Sequence, residues 1–173
     1  MSGRRPDLLL APGASGGVER LAPHLRGLRR RGITARSVAL PRGRTDPALV
    51  AYRRAMAGLP AERTLIGGHS FGGRVASMLA AERAVAGLVL FSYPLHPPGR
   101  PERWDERTAH WPMIACRVLL LSGESDPFAQ IGLLRTAVER LPSAELVTYA
   151  GVGHGIGPVL EDALDRVAAF IRG

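Results

Sequence analysis

Three polar residues in this 173-residue chain are spaced as a proton-relay nucleophile would need them: Ser70, Asp126 and His154. Ser70 lies in GHSFGG (68–73), Asp126 in SGESDPF (122–128) and His154 in GVGHGIG (151–157). A serine hydroxyl attacks a carbonyl only when a base removes its proton, and the base needs a carboxylate to hold and orient it. Each segment also has a plain structural explanation: a glycine turn, an Asp-Pro helix cap, a loop histidine. A lone G-x-S-x-G recurs by chance. The weight comes from the order serine, acid, histidine, with each residue in the turn or loop at the end of a separate apolar run. Glu124 is the reserve acid.

The elements that must position these residues alternate. Six short apolar runs, 7–11, 34–40, 63–68, 86–92, 117–122 and 144–150, are expected to be strands; most are apolar on both faces, as buried parallel strands are. Between them, 17–31, 46–58, 71–83, 128–141 and 158–172 have helical spacing. Ile131, Leu134, Val138 and Leu141 share one face, as do Leu160, Leu164, Val167 and Phe170, and Asp46-Pro47 is expected to cap the second helix. Strand and helix in regular alternation predict an α/β fold, about six strands in a mainly parallel sheet with helices on both faces. No internal repeat or low-complexity linker interrupts residues 1–173, which are expected to form a single domain.

On that scaffold, Gly68-His69-Ser70-Phe71-Gly72 falls between the third strand and the third helix and is expected to form a nucleophile elbow. The helix dipole would face a developing oxyanion. Two backbone donors are needed there. Phe71 is expected to supply one and Ala14, in LAPGASGG (10–17), the other, with Gly13 as the alternative; Pro12 has no N–H. His69 and His24 are read as structural, His69 pointing away from Ser70. Residues 93–113 hold five prolines and both tryptophans and are expected to run as a loop over the site. There Tyr93, His96, Trp104 and Trp111 are expected to wall a shallow acyl pocket, the alternative being that the tryptophans anchor the loop to the core.

Composition narrows the remaining classes. The net charge of +8 suggests nucleic acid, but all 23 basic residues are arginine, and neither lysine nor asparagine occurs. That is compositional bias rather than a basic patch, so no nucleic-acid partner is expected. A single cysteine, Cys116, permits a reducing compartment and rules out an internal disulfide or a CxxC pair. No dinucleotide fingerprint or metal-ligand cluster is read, so no cofactor and no metal are expected. Arg4-Arg5 with Leu8-Leu9-Leu10 is too short for a signal peptide and no run reaches membrane length; a cytoplasmic location and no membrane partner are expected.

The segments LAPGASGG, GGHSFGGRVASMLA, GLVLFSYPLHPPGRPE, LLLSGESDPF and GVGH together resemble the α/β-hydrolase family, in its dienelactone-hydrolase-like group. The eukaryotic testis-expressed and NSL-complex-subunit hydrolase-like proteins belong to the same group. The resemblance spans nearly the whole chain, with YPLHPPG its most specific motif. It implies a minimal α/β-hydrolase fold without a cap domain, the first two strands of the full fold being absent, and Ser70, Asp126 and His154 as nucleophile, acid and base. Pro12 stands where the family often has histidine. Ser70 stands where dienelactone hydrolases have cysteine, so that activity is not implied. The expected function is hydrolysis of a small-molecule ester or thioester through an acyl-enzyme. The alternative is a non-catalytic protein of the same fold that binds a ligand or partner.

Overall fold

A computed structural model describes residues 7–173, and the Arg4-Arg5 pair lies outside them. Among the described residues six strands form one sheet: β1 (Asp7–Ala11), β2 (Ala35–Ser37), β3 (Thr64–His69), β4 (Gly87–Phe91), β5 (Val118–Gly123) and β6 (Ala144–Tyr149). Their order is β2-β1-β3-β4-β5-β6 and every pairing is parallel. The helices are α1 (Ala22–Arg30), α2 (Thr45–Ala55), α3 (Phe71–Glu82), α4 (Trp104–Thr108), α5 (Ile131–Val138) and α6 (Leu160–Arg172). This is the α/β-hydrolase fold in a minimal form, and the described residues contain no separate cap domain.

The doubly apolar strands have a direct cause. Successive side chains point to opposite faces, so Leu9 and Ala11 join one core with α2, α3 and α5, while Leu8 and Leu10 join the other with α1 and α6. Val118 and Leu120 divide from Leu119 and Leu121 in the same way. The helices of the second face are tied by Arg31 to Glu161 and Asp165, at 2.9 and 2.7 Å. Tyr52, fully buried on α2, pins the middle of the sheet: its hydroxyl lies 2.9 Å from the Leu9 carbonyl and 2.7 Å from that of Gly67.

Several elements depart from the sequence expectations for local reasons. β2 is only Ala35–Ser37, an edge strand paired on one side, against the expected 34–40. α5 begins at Ile131 rather than 128 because the preceding amides are used elsewhere: Phe128 N–H donates to Asp126 Oδ1 at 2.8 Å and Gln130 N–H to His96 Nε2 at 3.0 Å. α2 starts at Thr45, with Arg44 at its N-cap and Asp46 inside the first turn, so Asp46 is not the cap. In α6 the buried face is Ala163, Leu164, Val167, Ala168 and Ile171; Phe170 is half-buried, with the Arg117 guanidinium 4.4 Å above its ring. The segment 93–113 is not a bare loop, since Pro101 and Pro112 stand in the first turns of two short 3-10 helices that flank α4.

Candidate active site

In an all-parallel sheet every strand delivers its following loop to the same edge, and open α/β sheets bind ligands there, where the strand order reverses. Here that edge collects the loop after β1, the turn after β3, and the loops after β5 and β6. The β3-to-α3 turn is the tightest. Ser70 has φ 52° and ψ −119°, a left-handed conformation rarely taken by a residue other than glycine. It is held there from both sides, because Ser70 N–H donates to the Phe91 carbonyl at 2.8 Å and the Arg74 amide donates to the Ser70 carbonyl at 3.0 Å.

The glycines of the turn are needed because three backbones meet. A Cβ at Gly68 would lie 2.5 Å from the Ala11 carbonyl oxygen, and one at Gly72 only 2.3 Å from it. Gly13 is pressed in similarly, since its Cβ would sit 3.2 Å from His69 Nδ1 and 3.5 Å from Ser70 Cβ. The loop after β1 is thereby seated against the serine. Phe71 is the first residue of α3, so its amide has no partner one turn earlier within the helix. Ala14 is exposed beside Gly13.

Ser70, His154 and Asp126 come together at hydrogen-bond distances. His154 Nε2 lies 2.8 Å from Ser70 Oγ, and His154 Nδ1 lies 2.8 Å from Asp126 Oδ2 and 3.0 Å from Oδ1. A carboxylate only accepts, so Nδ1 carries the proton and bare Nε2 faces the hydroxyl. The Asp126 side chain is fully buried and its Oδ1 also accepts the Phe128 amide at 2.8 Å. The Phe128 ring lies 4.4 Å from the His154 ring. Glu124 is engaged elsewhere, accepting from Thr148 Oγ1 at 2.7 Å and facing Arg135.

The four residues expected to wall an acyl pocket do not do so as a group. Tyr93 and Trp111 are buried edge to face in the core, centroids 5.0 Å apart, with the Tyr93 hydroxyl donating to the Arg107 carbonyl at 2.6 Å. His96 is also buried. Its Nδ1–H donates to the Pro97 carbonyl at 2.9 Å and its Nε2 accepts the Gln130 amide, which ties segment 93–113 to the loop that carries Asp126. Trp104 packs under the Arg140 guanidinium at 4.3 Å. Apolar area of this size is more stabilising inside the core than beside a water-filled site, and anchoring is what these rings do.

Two histidines read as merely structural lie at the site instead. His69 Nε2 is 3.1 Å from the His154 carbonyl oxygen and its ring centroid is 5.2 Å from that of His154. Burial is the main cause of its lowered pKa. His24, on α1, is 9% exposed, and burial, with a smaller repulsion from His69, pushes its pKa down to about 4. Both line a cavity of about 310 Å³ with Pro12, Gly13, Leu21 and Ile156. No periodicity marks them, because neighbours in this cavity are far apart in sequence. A larger cavity of about 580 Å³ opens between α1 and β2 beside Arg26 and Arg29, away from Ser70, so size alone does not locate the site. Among the described residues no helix is long and apolar enough to cross a membrane.

Residues 40–166 match the alpha/beta hydrolase domain family, and the chain belongs to that family. In solved structures it is similar to a monoacylglycerol lipase of Paleococcus ferrophilus, with TM-score 0.82 and 15% identity over 96% of this chain and 95% of that one. It is similar to a thermophilic esterase of Thermogutta terrifontis at TM-score 0.74 and 19% identity, over 98% of this chain and 84% of that one. A carboxylesterase structure from Nitrososphaera gargenis gives TM-score 0.77 and 15% identity, over 98% and 92% of the two chains. No curated protein sequence matches the chain.

Proposed function

We propose that the protein is a serine hydrolase of small esters or thioesters, of the dienelactone-hydrolase-like kind, working through Ser70, His154 and Asp126. The observation that carries this reading is the continuous chain from Ser70 Oγ through His154 to the buried Asp126, on a serine held at positive φ. A purely structural turn has no need of a strained serine aligned with an oriented imidazole.

In this mechanism His154 Nε2 takes the Ser70 proton as Oγ bonds to the substrate carbonyl carbon. The carbonyl electrons move onto oxygen, and the amides of Phe71 and Ala14 stabilise the resulting oxyanion. His154 then gives its proton to the departing alcohol or thiol, and the C–O or C–S bond breaks to leave an acyl-serine. Water repeats the sequence, with His154 again as base, and releases the acid. Asp126 keeps Nδ1 protonated and stabilises the imidazolium. The His69 hydrogen bond to the His154 carbonyl holds the loop that presents the base.

Intact-mass detection of fluorophosphonate labelling tests the proposal. A single adduct on the parent protein that is absent from Ser70→Ala is expected. A folded parent that stays unlabelled would overturn it and favour a ligand-binding role for the same fold.

A further inference from the structure

The YPLHPPG motif (93–99) supplies no group to the proton relay, yet its histidine is bonded to the loop that carries the acid. Asp126 stands in residues 124–130, between β5 and α5, where there is neither helix nor strand. Within that loop its carboxylate is aimed by one amide: Oδ1 accepts the Phe128 N–H at 2.8 Å as well as His154 Nδ1–H at 3.0 Å. The place of Phe128 therefore decides where the carboxylate points. The start of the loop is tied toward the base, since Glu124 N–H donates to the Tyr149 carbonyl and Ser125 N–H to the Val152 carbonyl, both at 2.9 Å. Its end is tied to His96. The His96 N–H donates to the Phe128 carbonyl at 2.9 Å, and His96 Nε2 accepts the Gln130 N–H at 3.0 Å. Phe128 thus has its amide on Asp126, its carbonyl on His96 and its ring 4.4 Å from that of His154.

His96 is itself fixed. It is buried, and its Nδ1–H donates to the Pro97 carbonyl at 2.9 Å, which leaves Nε2 bare, as accepting an amide requires. The chain that presents it is braced: Arg107 Nη1 donates to the Pro94 carbonyl at 2.9 Å and the Tyr93 hydroxyl to the Arg107 carbonyl at 2.6 Å. Just before the motif, Ser92 takes φ 47°, a conformation costly for a residue other than glycine, with its N–H on the Leu121 carbonyl at 2.8 Å. A side chain that only filled space would need volume alone, and a leucine would supply it. What the imidazole adds is an acceptor for the Gln130 amide, at a point set by its own hydrogen bond to Pro97.

We infer that His96 is a positioning residue for the acid of the triad: through the 128–130 backbone it holds the Asp126 carboxylate where His154 Nδ1–H meets it. The inference rests on the hydrolase reading and adds to it a side chain that works at one remove from the reacting atoms. Small displacements of such a group matter because the base is useful only while its own orientation is held. With the Gln130 amide released, Phe128 and the carboxylate it aims are free to shift.

A double-mutant cycle on p-nitrophenyl butyrate tests this. His96→Leu should lower kcat by about 10- to 100-fold with KM within about threefold of wild type. In an Asp126→Asn background the same substitution should change kcat by less than about threefold, because the carboxylate it positions is already gone. His96→Gln, whose side-chain carbonyl reaches the position of Nε2, should recover most of the loss. A His96→Leu protein with wild-type kcat, equal losses in the two backgrounds, or a His96→Gln protein no better than His96→Leu overturns the inference; a merely structural role predicts the equal losses. A folded parent that neither labels with fluorophosphonate nor cleaves the ester refutes the hydrolase reading instead. In that event the positioning is read from the proton resonance of His154 Nδ1–H, which should be displaced or broadened in His96→Leu and kept in His96→Gln; a resonance unaltered in His96→Leu overturns the inference. If His96→Leu does not fold, His96→Asn, too short to reach the Gln130 amide, takes its place in the cycle and in the spectrum.

Discussion

The buried His24 makes a specific prediction about acid stability. In the unfolded chain its imidazole titrates near the usual 6.5, whereas burial holds it at about 4 in the folded protein, helped by the neighbouring His69. The folded pKa is depressed for a base that is buried neutral. The unfolded state therefore binds the proton first as pH falls, and stability is lost between pH 6.5 and pH 4. At pH 5 the unfolded imidazole is almost wholly protonated and the folded one only about one tenth, so the linkage costs about 2 kcal/mol relative to pH 8. For a domain of this size that is a Tm lower by about 4–8 °C. Other groups also titrate in this range, His110 among them, whose pKa burial and Arg74 push down to about 4. They are common to wild type and His24→Leu and cancel in the comparison. Urea unfolding of both proteins at pH 8 and pH 5 isolates the contribution. His24→Leu should lose about 2 kcal/mol less on acidification, and at pH 8 it should be no less stable than wild type, since it removes two unpartnered buried nitrogens. Equal losses in the two proteins would refute the reasoning.

Other substitutions test the remaining parts. Asp126→Asn should lower kcat/KM on p-nitrophenyl butyrate by about 10³–10⁴-fold while circular dichroism stays native, because the carboxylate that keeps His154 Nδ1 protonated is gone. Gly72→Ala places a Cβ 2.3 Å from the Ala11 carbonyl oxygen and should cost about 3 kcal/mol or more in urea unfolding. Tyr52→Phe should cost about 1–3 kcal/mol, since its hydroxyl joins α2 to the Leu9 and Gly67 carbonyls, with fluorophosphonate labelling of Ser70 intact. Trp111→Ala should cost about 3–5 kcal/mol without altering ester preference, as expected of a core anchor rather than a pocket wall.

Much of the architecture was legible in the sequence because its signals are local. Six apolar runs and the helical segments between them are patterns within a few residues of each other, and the parallel sheet follows from their alternation. Ser70, Asp126 and His154 were legible as candidates for a related reason: each lies in the loop that follows a strand, and parallel strands bring those loops to one edge. Element ends were less legible where amides serve a neighbour instead of a helix. Residues 128–130 donate to Asp126 and His96, and α5 starts late.

What only the tertiary structure decided is which side chains share a space. Tyr93, His96 and Trp111 have the composition of a binding wall, yet two rings are buried against each other and the histidine bridges two loops. His24 and His69 have the composition of structural residues, yet they line the cavity beside Ser70. Periodicity reports whether a residue faces inward; it carries no information about which residue of a distant segment it will meet there. That pairing is set by strand order and helix packing, and it decides which partners a buried imidazole meets.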